Sequence, residues 1–186
     1  LRPTPVSVRL TMTDLMVVHA EGNPYERGVV IGRALADGHA RSVDFAHRYV
    51  QRHGLAVTDL EPLLAPYLSA AASTVPRLVT HLEGVAAGSG LSFVDVFAVN
   101  AFEELYDVLE QSVPPPIPVE RCTDVIARSR DGVILGHNEQ WYAGDDGAVG
   151  LVLDVSDDGP AVLAPMVAGT LPLVGMNEHG AAFGTM

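Results

Sequence analysis

The chain contains no lysine. All 11 of its basic residues are arginine, which excludes a lysine nucleophile, a Schiff-base enzyme and the lysine-dependent phosphate loop of nucleotide-binding proteins. It has one cysteine in 186 residues, so no internal disulfide can form and no oxidising compartment is implied. Aromatic residues are only 6% of the chain, which leaves Val, Leu and Ala to build the core. No apolar run approaches the length of a membrane span. The opening, Leu1-Arg2-Pro3-Thr4-Pro5, is too polar and too broken by proline to be a secretory signal, and the cytoplasm is the default expectation. There is no basic stripe. With 23 acidic residues and a net charge of -12, the chain would repel a polyanion such as nucleic acid. Neither nucleic acid nor a membrane is expected as a partner.

The length suits one domain with a real core. The pattern changes near residue 112. Before it, helix signals dominate. Asn23-Pro24 is an N-cap with proline at the first helical position. Val29, Val30, Leu35, Ala36, Val43, Ala46 and Val50 then recur at near-helical spacing, predicting one helix that ends at Gly54. Gly28, Gly32 and Gly38 weaken that helix unless they permit close packing. Thr58-Asp59-Leu60-Glu61 has the form of a capping box and opens a second helical region, interrupted at Pro62, Pro66 and Pro76. The stretch Gly84 to Gly90 reads as a turn, and Ser92 caps a third helix that runs to about Glu110. Residues 112–121 form a proline-rich linker.

After residue 121 the chain becomes short apolar runs, 122–129, 133–138, 149–155, 161–166, 171–176 and 181–186, separated by turn chemistry such as Asp131-Gly132 and Glu178-His179-Gly180. Two runs near 6–10 and 15–20 read as edge strands. Helices followed by antiparallel strands give an α+β class within one domain. The last run stays strand-like to Met186, so the sequence is expected to be the N-terminal part of a longer chain.

Cys122 stands out by its place, on the first residue of a hairpin after an accessible linker. The plain alternative is a buried cysteine acting as a small hydrophobe. If the Arg121–Cys122 bond is cut, the new α-amine has a pKa of about 7.7–8.0 and serves as general base near neutral pH. It is already tethered beside the thiol. Four stretches are similar to one family. They are Glu21-Gly22-Asn23-Pro24-Tyr25-Glu26-Arg27-Gly28; Leu82 to Gly90, leading to Asn100 and Glu103-Glu104-Leu105; Cys122-Thr123 with Asp131 to Trp141; and Gly175-Met176-Asn177-Glu178-His179-Gly180. In this order they resemble the isopenicillin N acyltransferase (acyl-CoA:6-aminopenicillanate acyltransferase) branch of the N-terminal nucleophile hydrolases over residues 15–186.

That resemblance implies a four-layer αββα sandwich and a precursor that cuts itself between Arg121 and Cys122, leaving a heterodimer of fragments. Residues 1–121 would form the mainly helical first fragment and 122–186 the start of the second. It implies an amidohydrolase or acyltransferase that works through a thioester on Cys122, on small amide or thioester substrates. No cofactor is needed; acyl-CoA is a candidate co-substrate. Asn138 and Gln140 become candidate catalytic residues beside Cys122, and Thr123, His137 and Trp141 candidate substrate-binding residues. The family commonly has Asp at the place of Gln140, which supplies no negative charge. Beyond Met186 the family continues with an oxyanion-hole asparagine and further strands. Without that donor a rate falls on the order of 100- to 1,000-fold, so residues 1–186 alone are expected to be an incomplete enzyme. Asn177 and Glu178 would shape the turn that presents the asparagine.

Two other readings remain open. One is a thiol hydrolase that never cuts itself and uses His137 to activate Cys122. The other is an inactive, truncated relative that serves as a binding protein. No metal site is expected: His19, His39, His47, His53 and His81 share no ligand spacing, and the acidic turns Gly144 to Gly147 and Asp157-Asp158-Gly159 lack the pattern of a calcium loop.

Overall fold

A computed structural model describes residues 15–110, 122–130, 132–139 and 148–184. The run near 6–10, the linker, the 144–147 turn, Asp131 and the last two residues lie outside these. The described residues are mixed α+β, as expected. Strand β1 (Met16–Gly22) is followed by helices α1 (Pro24–Ala34), α2 (Ala36–Arg52), α3 (Leu60–Thr74), α4 (Pro76–Ser89), α5 (Phe93–Asn100) and α6 (Phe102–Glu110), with a single 3-10 turn at Val57–Asp59. Strands β2 (Thr123–Ser129), β3 (Gly132–Asn138), β4 (Val149–Ser156), β5 (Val162–Val167), β6 (Gly175–Asn177) and β7 (Ala182–Phe183) complete it.

Five strands make one sheet in the order β1-β4-β5-β6-β7, and β2 and β3 form a separate hairpin. β1 lies at the sheet edge, parallel to β4, with Val18 opposite Val152; the remaining neighbours are antiparallel. Strand alternation separates the two faces. Val18, Ala20, Val152 and Met166 pack with Ile31 and Leu35 under the helices. Leu151, Leu163, Pro165 and Val167 face the other way, towards the hairpin. A second core joins α2 to α6 around Leu60, Leu82, Val96 and Leu105.

Several sequence expectations are corrected. Residues 84–90 are not a turn: α4 runs through them to Ser89, and Gly90 (φ 76) is its left-handed C-cap. The glycines serve packing instead. A Cβ on Gly28 would lie 2.1 Å from the His81 carbonyl oxygen, and one on Gly84 would lie 2.2 Å from that of Tyr25. α1 and α4 therefore run side by side in the same direction with their backbones in contact. The first helix breaks at Leu35 into α1 and α2. The bonds Leu35 N–H to Ile31 O and His39 N–H to Leu35 O span the break, so the apolar period continues through it.

Pro66 does not interrupt α3; Pro62 and Pro66 lie on its exposed side, where the carbonyl freed by the missing N–H meets water. The capping contact falls not on Thr58 and Glu61 but on the 3-10 turn before the helix, where the Asp59 carboxylate accepts the Ala56 N–H at 2.8 Å; α3 follows directly with no side-chain cap of its own. The third helix divides at Ala101, beside the Asn100 side chain. That amide donates to Gly169 O at 2.6 Å and accepts the Leu171 N–H at 2.8 Å, fixing the loop after β5. The same loop, with Gly169 at φ 100 and Pro172 lacking a donor, shortens the run expected at 171–176 to β6. The run expected at 181–186 is strand only at Ala182–Phe183 among the described residues.

A partly buried ion pair, Arg27 to Asp154, ties α1 to β4. Near it lie two buried histidines, His39 and His81. His39 is 1% exposed, and neither ring nitrogen has a hydrogen-bonding geometry to a described partner. Burial lowers its pKa from 6.5 to about 4, the Ile31 backbone offsetting part of this and His81 adding to it. The folded state thus prefers the neutral ring. Its contribution is complete above the unfolded value of 6.5 and is lost as pH falls towards 4. The loss amounts to about 3 kcal/mol. Denaturant titrations at pH 7 and pH 4 are expected to show at least that difference, and His39→Leu to remove this share of it. An unchanged acid slope in the variant would place the sensitivity elsewhere.

Candidate functional site

The site is a product of hairpin register. Ser129 pairs with Gly132, Asp124 with His137 and Thr123 with Asn138. One step further, Cys122 stands across from Glu139. Residues two apart share a face of a strand, so Cys122, Asp124, His137 and Glu139 gather on one side. The Cys122 thiol donates to Glu139 Oε1 at 2.9 Å. Glu139 Oε2 meets His137 Nε2 at 2.7 Å, and His137 Nδ1 meets Asp124 Oδ1 at 2.7 Å. The four side chains form a continuous line from thiol to carboxylate, imidazole and second carboxylate.

The His137 side chain is 6% exposed. Its hydrogen bonds to Glu139 and then to Asp124 raise its pKa above the usual 6.5, the charges of both carboxylates adding to the effect and burial opposing it. A ring bridged by two carboxylates donates from both nitrogens. The Gly184 backbone passes against Asp124: a Cβ there would lie 2.8 Å from Oδ1. The thiol sulfur, a His137 nitrogen and a Glu139 oxygen all lie within 4.8 Å of one another.

His137 and Glu139 also edge a cleft of about 510 Å³ between the hairpin and the five-stranded sheet. Its walls are mainly apolar, with Leu135, Leu151, Leu163, Pro165, Leu173 and Met176 among them. The arrangement offers a nucleophile, a carboxylate to take its proton, and an apolar space beside that carboxylate.

Of the residues singled out by sequence, the structure brings Cys122 and His137 together. Thr123 and Asn138 are paired and exposed, on the strand positions that alternate with the cluster. Arg121, Gln140 and Trp141 lie outside the described residues. Asn177 and Glu178 do shape their turn: Asn177 Oδ1 accepts from His179 N and Ala181 N, and Glu178 accepts the Ala161 N–H at 3.0 Å. Sequence reasoning passed over Asp124 and Glu139 as site residues. Pairing the two runs around the Asp131-Gly132 turn would have found both. No protein-family model matches the chain, and no curated protein matches it.

Proposed function

We propose that this chain is a self-cleaving N-terminal cysteine amidohydrolase or acyltransferase of the N-terminal nucleophile type, with Cys122 as nucleophile. The observation that carries the reading is the contact of the Cys122 thiol with Glu139, at the edge of an apolar cleft. Glu139 takes the thiol proton as sulfur adds to the Arg121 carbonyl carbon. The C–N bond then breaks, the departing nitrogen of Cys122 receives that proton, and the Arg121 acyl group rests on sulfur. Water hydrolyses this thioester, leaving the Arg121 carboxylate, the free thiol and a free α-amine on Cys122. In the mature protein the amine is the base: the thiol attacks an amide or thioester substrate, the leaving group takes the proton, and water or an acceptor amine receives the acyl group.

Three further features support the reading. Helices cover one face of the five-stranded sheet and the hairpin lies across a cleft on the other, an order shared with the first three layers of an αββα sandwich. Glu139 supplies beside Cys122 the negative charge that Gln140 lacks. The third is His137, whose two nitrogens are both engaged by carboxylates; it positions Glu139 rather than receiving the thiol proton, which favours an amine base over a cysteine–histidine pair.

The test is to trap the acyl group. Incubated with an activated ester of an apolar acid, the processed protein is expected to carry one acyl group on the peptide that begins at Cys122. Cys122→Ala is expected to carry none. Acylation at another residue, or none in processed protein, would remove Cys122 as nucleophile.

A further inference from the structure

We infer that Cys122, His137 and Glu139 form a binding site for a zinc ion that holds the thiol in an unreactive state. The coordination follows from the side chains alone; its consequence, arrest of cleavage and acyl transfer, rests on the function proposed above. Thiolate, imidazole and carboxylate are all zinc ligands, and three protein donors with one position left open is the pattern of an accessible zinc site. The donor atoms lie within 4.8 Å of one another, so small side-chain rotations close them around one ion.

The charges balance. The thiol, the doubly donating imidazole and the carboxylate sum to zero; loss of one proton from sulfur and one from His137 Nε2, with gain of a divalent cation, leaves the sum unchanged. Asp124 completes the site. It accepts from His137 Nδ1 at 2.7 Å, which fixes the ring with Nε2 towards Cys122 and Glu139, the arrangement of a carboxylate holding a metal-bound histidine. The cleft runs beside two of the three donors, His137 and Glu139. Bound to zinc, the sulfur lone pair is engaged and Glu139 has no thiol proton to take.

The probe is Co2+, which reports its ligands optically, added to the full-length, tag-free protein and then displaced by Zn2+. One equivalent is expected to produce a thiolate-to-cobalt charge-transfer band that zinc abolishes. The band is expected to be absent in Cys122→Ser, and Asp124→Ala is expected to weaken binding about 10- to 100-fold. No charge-transfer band in the wild type, or a band retained at full strength in both His137→Ala and Glu139→Gln, would overturn the site. Intact mass read on the same samples separates the two ideas. A band without cleavage under any condition sinks the proposed enzyme and leaves the metal site standing. Cleavage at an equal rate with and without saturating zinc overturns the arrest.

Discussion

Glu139→Gln is expected to fold normally and to cut itself before Cys122 about 100- to 10,000-fold more slowly than the wild type, the range over which a positioned general base acts. Glutamine keeps the shape of the side chain and can still accept from the thiol, as Glu139 Oε1 does at 2.9 Å. It cannot take a proton at neutral pH, so sulfur must attack as the thiol or wait for bulk base. The loss should appear as a slower conversion of precursor to fragments, followed by intact mass over time. His137→Ala should lie between the two, because it removes the support on Glu139 Oε2 but not the carboxylate. Cleavage of Glu139→Gln at the wild-type rate would show that Glu139 has no part in proton transfer.

The second large effect is on stability. Gly84→Ala and Gly28→Ala are each expected to destabilise the fold by about 1–2 kcal/mol. A methyl group at either site would meet backbone, at 2.2 Å from Tyr25 O or 2.1 Å from His81 O. Backbone cannot rotate away as a flexible side chain does, so α1 and α4 must separate. Overpacking typically costs about 1–3 kcal/mol, sometimes more, and the better helix propensity of alanine returns at most about 1 kcal/mol. Because α1 also covers β1 and β4, the separation reaches the sheet. Denaturant midpoints test this. Equal midpoints for wild type and both variants would mean that the two helices do not meet backbone to backbone.

Local signals carried much of the fold. Asn23 caps α1, with Glu26 closing the capping box, and the runs that became β2 to β5 were marked as short apolar runs between turns. The misreadings share a cause. Gly84 and Gly88 are turn residues by local chemistry, but their role is set by a helix more than fifty residues earlier, which no window on α4 contains. Leu35 and Ala101 break helices without a local breaker: the bonds around Leu35 continue through it, and Ala101 follows an asparagine engaged by a distant loop. Pro66 would have been allowed by anyone knowing that its side of α3 is exposed.

The candidate site was half legible. Cys122 was visible as a singular residue in a singular place. Asp124 and Glu139 look like solvated acids on a strand until the register is drawn, and register is a relation between two runs rather than a property of either. Once Thr123 is set against Asn138, both carboxylates fall on the side of the thiol and the imidazole.

The central claim is that Cys122 cuts the bond before itself. Its most direct test is the denatured intact mass of the protein expressed from its full reading frame, as wild type and as Cys122→Ala. The account predicts two wild-type fragments that meet between Arg121 and Cys122, and one uncut chain for the variant. A single uncut wild-type chain, or a variant cut at the same bond, would contradict it.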